Sequence, residues 1–262
     1  MLFVIAWKNI WRNKVRSLVV MVAVMLGLWA GAFVLSYVFG MINQRLDDAI
    51  GSEISHLQLH HPDFNTDYEP KFHIDQSTSL IDDIADNPNV LAVSGRVLTY
   101  GMVASPTTSS GGKIIGIDPK SEHSVTKLAD NIVEGEYLTL EEKNKVVIGK
   151  KLADKLKVKL RSKIVLTFQD AEGDIVAGAF RIKGIFRSYN SSIEDANIYV
   201  RDADLAKLIN TKGNVHEVAV LMKDADMIGT YIDQISHENP NLIIESWDKL
   251  SPELGLLSDS FD

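Results

Sequence analysis

Five side chains within one short stretch carry the donor atoms of a metal site: His56, His60, His61, Asp63 and His73. Four residues apart on a strand, His56 and His60 share a face. A metal site also needs a ligand set of fixed geometry with groups behind the ligands. The spacing here matches no such set, so the expectation is a solvated polar strand face. Asp82, Asp83 and Asp86 crowd one short segment and read as the wet face of a helix. Glu194 and Asp195 adjoin, but no acid or base in the sequence completes a catalytic pair. There is no cysteine, hence no thiolate nucleophile and no disulfide framework. There is no phosphate-cradling loop, because Gly149-Lys150-Lys151 lacks both the first glycine and the hydroxyl. Neither His-Glu-x-x-His nor Gly-x-Ser-x-Gly occurs. No catalytic residue, cofactor or metal is assigned, and the chain is not expected to be an enzyme.

What remains is membrane and partner chemistry. Residues 18–42 run 25 positions without a charge. Roughly 20 residues cross a hydrocarbon core, so one tilted transmembrane helix is expected here. Lys8, Arg12, Lys14 and Arg16 precede the run, and Asp47, Asp48 and Glu53 follow it. The positive-inside rule puts the N-terminus in the cytoplasm and the rest of the chain on the far side. A cleaved signal peptide is the competing reading, since Ala30-Gly31-Ala32 resembles a cleavage site. The ten residues after Ala32 stay mostly apolar, which favours the anchor. Residues 1–17 read as an amphipathic helix in the headgroup layer, anchored by Trp7, Lys8, Trp11 and Arg12 and touching membrane lipid. Ala23, Gly27 and Gly31 recur every four residues, a small-residue stripe on which another helix can pack.

The first 46 residues carry +5 and the whole chain −8, which leaves −13 for residues 47–262. So acidic a body excludes nucleic acid as its partner. Apolar periodicity carries the helix as a stalk to about Gly51. Residues 54–60 alternate as a strand with one apolar face, 78–85 read as a helix, and 90–104 and 112–117 as strands. Residues 119–211 are strand-rich, with strands at 146–148, 163–168, 175–186 and 196–200 and a helix at 150–156. Asp170, Glu172, Gly173 and Asp174 read as a hairpin turn that could meet a partner. The α/β texture returns in residues 212–250: a strand at 215–222, a helix at 225–237 and a strand at 242–245. A helical stripe of Leu250, Leu254, Leu257 and Phe261 follows. The fold class is α+β: a transmembrane helix and an α/β domain in two sequence-distant halves, 43–118 and 212–250, around a β-rich insert.

Several stretches in this order resemble the MacB/FtsX-type family of ABC transporter permeases: AWKNIWRNKVRS, IIGIDPKSE, NIVEGEYL, KVVIGKKLADKLKV, FRIKGIFRS and DANIYV. The resemblance implies a MacB-like periplasmic domain, in which an α/β porter subdomain is split by a β-rich sabre subdomain. It implies a bacterial inner-membrane location and partnership with a separate ABC ATPase and with a second permease copy or paralogue. Residues 251–262 would begin the stalk to a further transmembrane helix. IGKKLADKLKV and GIF are most similar to the lipoprotein-releasing LolC/LolE type, which implies a periplasmic lipoprotein or carrier as partner. The hairpin spanning 168–180 is shorter than that family's carrier-recruiting hook and has no proline at its tip. The motion implied is mechanotransmission, in which ATP-driven closure is passed to the periplasm. A single-pass anchored sensor or scaffold is the alternative from another class.

Overall fold

The computed structural model describes residues 7, 12, 14–188, 190–252 and 255, in two compact units, residues 1–47 and 48–262. The first is dominated by helix α1 (Lys14–Ala49). Its segment Lys14–Ile42 is long and apolar enough to cross a membrane, and contains the 18–42 run. A helix satisfies its backbone groups internally, which a bilayer core demands. Most of its large apolar side chains, from Val15 through Met41, are exposed.

The helical backbone continues past α1 as a π-helical turn, Ile50–Ile54, one turn beyond the expected end. Ser55 then takes a left-handed conformation (φ 58°) and stops it. The Gln58 amide donates to the Ile54 carbonyl (2.9 Å), and the Lys127 N–H donates to the Gly51 carbonyl (2.6 Å). These bonds fasten the turn to its own domain and satisfy carbonyls left over at a helix end.

The remaining elements are β1 (Leu57–His60), α2 (Phe64–Asp67), α3 (Ser77–Ala85), β2 (Val90–Ala104), β3 (Ser109–Ile117), α4 (Pro119–Val125), β4 (Ile132–Gly135) and β5 (Lys145–Gly149). They continue as α5 (Lys150–Leu156), β6 (Lys163–Gln169), β7 (Ile175–Phe186), α6 (Ser191–Ala196), β8 (Asn197–Arg201) and α7 (Asp202–Ile209). Last come β9 (Glu217–Met222), a 3-10 turn (Ala225–Met227), α8 (Ile228–Glu238), β10 (Ile243–Ser246) and α9 (Trp247–Leu250). The strands form one mixed sheet in the order β10-β1-β9-β2-β3-β8-β5-β7-β4, with β6 between β2 and β7. Strands from the two ends of the sequence therefore pair: β9 lies between β1 and β2. The strands of the middle segment gather at the other end of the sheet.

Alternation sorts the strands into two buried layers. One layer holds Leu57, Leu59, Val97, Ile114, Ile148, Phe180 and Val218, covered by Leu152 and Leu156 of α5, Leu205 of α7 and Ile235 of α8. The opposite face carries Leu98, Ile115, Ile117, Val147 and Tyr199 beneath Phe64, Leu128 and Leu138.

The expectation of a half-wet strand at 54–60 is corrected here. All four residues of β1 are buried, because Gln58 and His60 point into the second layer rather than into water. The short α2, α4, α6, α7 and β4 went unread, being too brief to show a period. Of these, α4 did carry a start signal: Asp118 accepts from the Lys120 N–H (2.8 Å) and Pro119 occupies the first helical position.

Close packing fixes Gly149 where β5 turns into α5. A Cβ there would lie 2.0 Å from the Glu194 carbonyl oxygen, whereas one at Gly111 would meet nothing within 4 Å. Gly149→Ala should therefore cost about 2–3 kcal/mol and Gly111→Ala close to nothing, read as shifts in the urea unfolding midpoint.

Candidate functional site

Arg96 interrupts the apolar run of β2 and points into the second layer, where only 4% of it is exposed. Pro119 starts α4 so that Glu122, one turn on, lies against it. The guanidinium donates from Nε and Nη2 to the two Glu122 carboxylate oxygens (3.1 and 2.8 Å). Its Nη1 donates to Oε1 of Glu217, the first residue of β9. Both carboxylates are almost wholly buried. Glu122 also accepts from the Thr126 hydroxyl (3.2 Å). One guanidinium thus joins β2, α4 and β9, three elements far apart in sequence.

Burial works against the charged guanidinium, but Glu122 and Glu217 outweigh it and hold the Arg96 pKa above its ordinary value. Burial likewise opposes the Glu217 carboxylate, yet Arg96, Lys113 and His60 hold its pKa below the ordinary value. A carboxylate held ionised in this way, as Glu217 is, is a poor proton donor; the arrangement is a clamp between elements.

Histidines border the clamp. His60 Nε2 lies 3.1 Å from the Gln58 side-chain oxygen and 4.0 Å from Glu217, and burial lowers its pKa. His216 is fully buried: its Nδ1 accepts from the Leu98 N–H (3.0 Å) and its Nε2 donates to the Pro70 carbonyl (2.9 Å). Burial pushes its pKa down to about 4.

The five suspected metal donors go separate ways. His56 accepts from the Met222 N–H (2.9 Å), His61 stacks on Phe72, and His73 faces Asp75 (3.3 Å) and Asn214. Among the described residues no three such groups converge. Asp82, Asp83 and Asp86 are exposed, as a wet helix face requires, and Asp195 pairs with Lys155 (3.4 Å).

Trp7 and Arg12 are helical and exposed; Lys8 and Trp11 lie outside the described residues, as do Leu254, Leu257 and Phe261. Ala23, Gly27 and Gly31 are exposed on α1, and a Cβ at either glycine would meet nothing within 4 Å. The hairpin between β6 and β7 turns where expected. Asp170 accepts from the N–H groups of Glu172 and Asp174 (both 2.9 Å), and Gly173 supplies the positive φ. Its tip is tied down: the Ala171 N–H donates to the Ile209 carbonyl (2.9 Å) and Asn210 to the Glu172 carboxylate (3.0 Å). The clamp escaped the sequence reading, although an arginine inside the apolar strand 90–104 was its visible trace.

These features define a class: a mixed α/β domain behind one apolar helix, its buried charges clamping sheet to helix. Residues 17–238 match the MacB-like periplasmic core domain, and the chain belongs to that family. The fold is similar to the periplasmic region of MacB from Actinobacillus actinomycetemcomitans, with TM-score 0.54 and 13% identity over 80% of this chain and 97% of that one. It is also similar to the extracellular domain of the noncanonic ABC-type transporter YknZ from Gram-positive bacteria, with TM-score 0.51 and 16% identity over 73% and 99%. No curated protein matches the sequence.

Two outcomes test the clamp. Arg96→Leu leaves two buried carboxylates without a counter-charge and should cost about 3–5 kcal/mol, whereas replacing Arg96, Glu122 and Glu217 together by leucine should cost far less. Urea unfolding of the three proteins decides; equal losses would contradict it. The second outcome concerns pH. His216 in the fold binds its proton more weakly than in the unfolded chain, so its contribution is whole above about pH 6.5 and declines as pH falls toward 4. Unfolding at pH 7 and pH 5 should differ by about 2 kcal/mol from this residue, a difference that His216→Gln should remove.

Proposed function

We propose that this chain is the permease subunit of an ABC-type transporter, passing ATP-driven motion from the membrane to its folded domain. The observation that carries the reading is the family match across residues 17–238, which takes in both the apolar helix and the domain behind it. ATP would be hydrolysed by a separate ABC ATPase. The location is the bacterial inner membrane with the N-terminus cytoplasmic, supported by the basic flank before α1 and the acidic residues after it. In this reading Trp7 and Arg12, within the interfacial segment 1–17, meet the cytoplasmic headgroups, and Ala23, Gly27 and Gly31 receive a helix from a second permease copy or a paralogue. Residues 119–211 act as the sabre lobe and residues 43–118 with 212–250 as the porter lobe.

The cargo is a lipoprotein or another envelope substrate handled outside the cytoplasm. The expected charge-free span fits this better than ion conduction, since conduction paths through membranes carry polar or ionisable groups. The tethered tip at Asp170–Asp174 favours a fixed corner over a reaching hook, which sets the chain apart from hook-based carrier recruitment.

Affinity purification from native membranes should bring down an ATPase bearing a phosphate-cradling loop. Recovery of the chain alone would favour a single-pass scaffold. Gly27→Leu or Gly31→Leu should cut recovery of the ATPase complex at least fivefold while leaving the domain's thermal unfolding unchanged; undiminished recovery would remove the helix-packing role. Protease added to spheroplasts should digest residues 47–262 and spare the N-terminal segment, and the reverse pattern would invert the topology.

A further inference from the structure

The second layer of the sheet is only half covered. Its cover ends at Tyr68, which packs edge-on against Tyr100 with ring centroids 4.8 Å apart. Beyond that pair the Glu69–Lys71 loop borders the hairpin tip at Gln169–Gly173, and the same sheet face continues across β2, β6 and β7 with its central side chains exposed. Met102, Thr167 and Ala177 stand in one cross-strand row, and Val165 and Ala179 in the next. Ile175, at the far end of β7, is 77% exposed and Met102 53%. An antiparallel sheet with one face in water normally presents polar residues there. This one presents Met102, Val165, Ala177 and Ala179 at its centre and Ile175 near the tip, with Thr167 among them and Lys163, Arg181 and Gln169 at the two ends. β6 is paired on both sides, so a partner cannot add a strand beside it and must dock on the side chains.

Charge is distributed unevenly along this face. Lys163 and Arg181 stand opposite one another at the base of the β6–β7 hairpin, and among the described residues neither is paired to a carboxylate. Asp170, Glu172 and Asp174 crowd the tip, roughly 23 Å away at strand spacing. A flat face of small and apolar residues suits a second sheet stacked about 10 Å above it. Turned end for end about a two-fold axis lying between the sheets and across the strands, an identical face brings basic base over acidic tip at both ends.

We propose that this open face of β2, β6 and β7 is a contact surface for a second copy of the chain, stacked sheet on sheet with the hairpins antiparallel. The inference rests on the permease reading for the membrane tether that brings two copies together. The contact depends on the high effective concentration of two anchored chains. The axis crosses the middle of the hairpin, so Thr167 meets Thr167 of the second copy.

The chain has no cysteine, so a single introduced thiol reports one position. The test uses the full-length protein in its native membranes with copper-phenanthroline as oxidant. Thr167→Cys should form a disulfide-linked dimer at least tenfold faster than Asp233→Cys, an exposed position on α8. Adding Lys163→Glu and Arg181→Glu should slow that cross-link at least fivefold, and further adding Glu172→Lys and Asp174→Lys should restore it. A rate at Thr167→Cys no faster than at Asp233→Cys overturns the proposal, as does failure of the swapped charges to restore it. Co-purification of an ATPase, measured on the same membranes, separates the two readings. An ATPase without the Thr167→Cys cross-link sinks the face and leaves the permease. The cross-link without an ATPase does the opposite.

Discussion

A guanidinium taken out of water has to find its counter-charges inside the fold, and at Arg96 this requirement organises the second layer of the sheet. Two carboxylates answer one cation, from a helix and from a strand more than a hundred residues downstream. Such a cluster is weak evidence for stability, because desolvation offsets much of the attraction. Its geometric demand is strict, however. β9 must lie beside β2 with Glu217 opposite Arg96, and α4 must cross above both. A register slip of one residue would turn Glu217 to the other face and leave the charges unmatched. The clamp thus selects one arrangement among many that an apolar sheet could adopt.

The same face shows where that selection stops. Around Arg96 it is roofed by α4, Phe64 and Leu138; past Tyr100 Met102 and Val165 are exposed, and the Glu69–Lys71 loop borders only the hairpin tip. The covered half ties the ends of the sequence together. The exposed half lies on the hairpin contributed by the middle segment. An insert that pairs with β2 through β6 and carries an apolar outer surface is well placed to meet a partner without disturbing the clamp.

Much of this was legible in the sequence. β2 and β7 run long enough for their period to show, and turn residues bracket them; their expected and observed limits coincide. The apolar run of α1 announced itself by length alone. The wet reading of His60 went wrong because alternation tells which residues share a face, not what lies over it. Phe64 and the loop through Pro70 supply that cover from outside the strand. The Arg96 clamp was hidden for a related reason: its partners are separated by up to 121 positions, and no local pattern joins them. The likeness to MacB-type permeases was carried by short motifs in fixed order, one of which holds the Asp118-Pro119 helix start.

The π-helical turn at Ile50–Ile54 belongs to the same bonded framework. A lone α-helix ending in a flexible loop would lose any rotation or thrust within the loop. Here the turn is bonded to its domain at Gly51 and Ile54 and meets β1 after two residues, left-handed Ser55 and His56. β1 in turn lies between β9 and β10, and β9 carries Glu217 of the clamp. Displacement of the turn therefore reaches paired strands within a few residues, and those strands cannot slide singly without unpairing a buried charge. The turn, β1, β9 and the Arg96 clamp thus form one continuous series of bonds inside the folded domain.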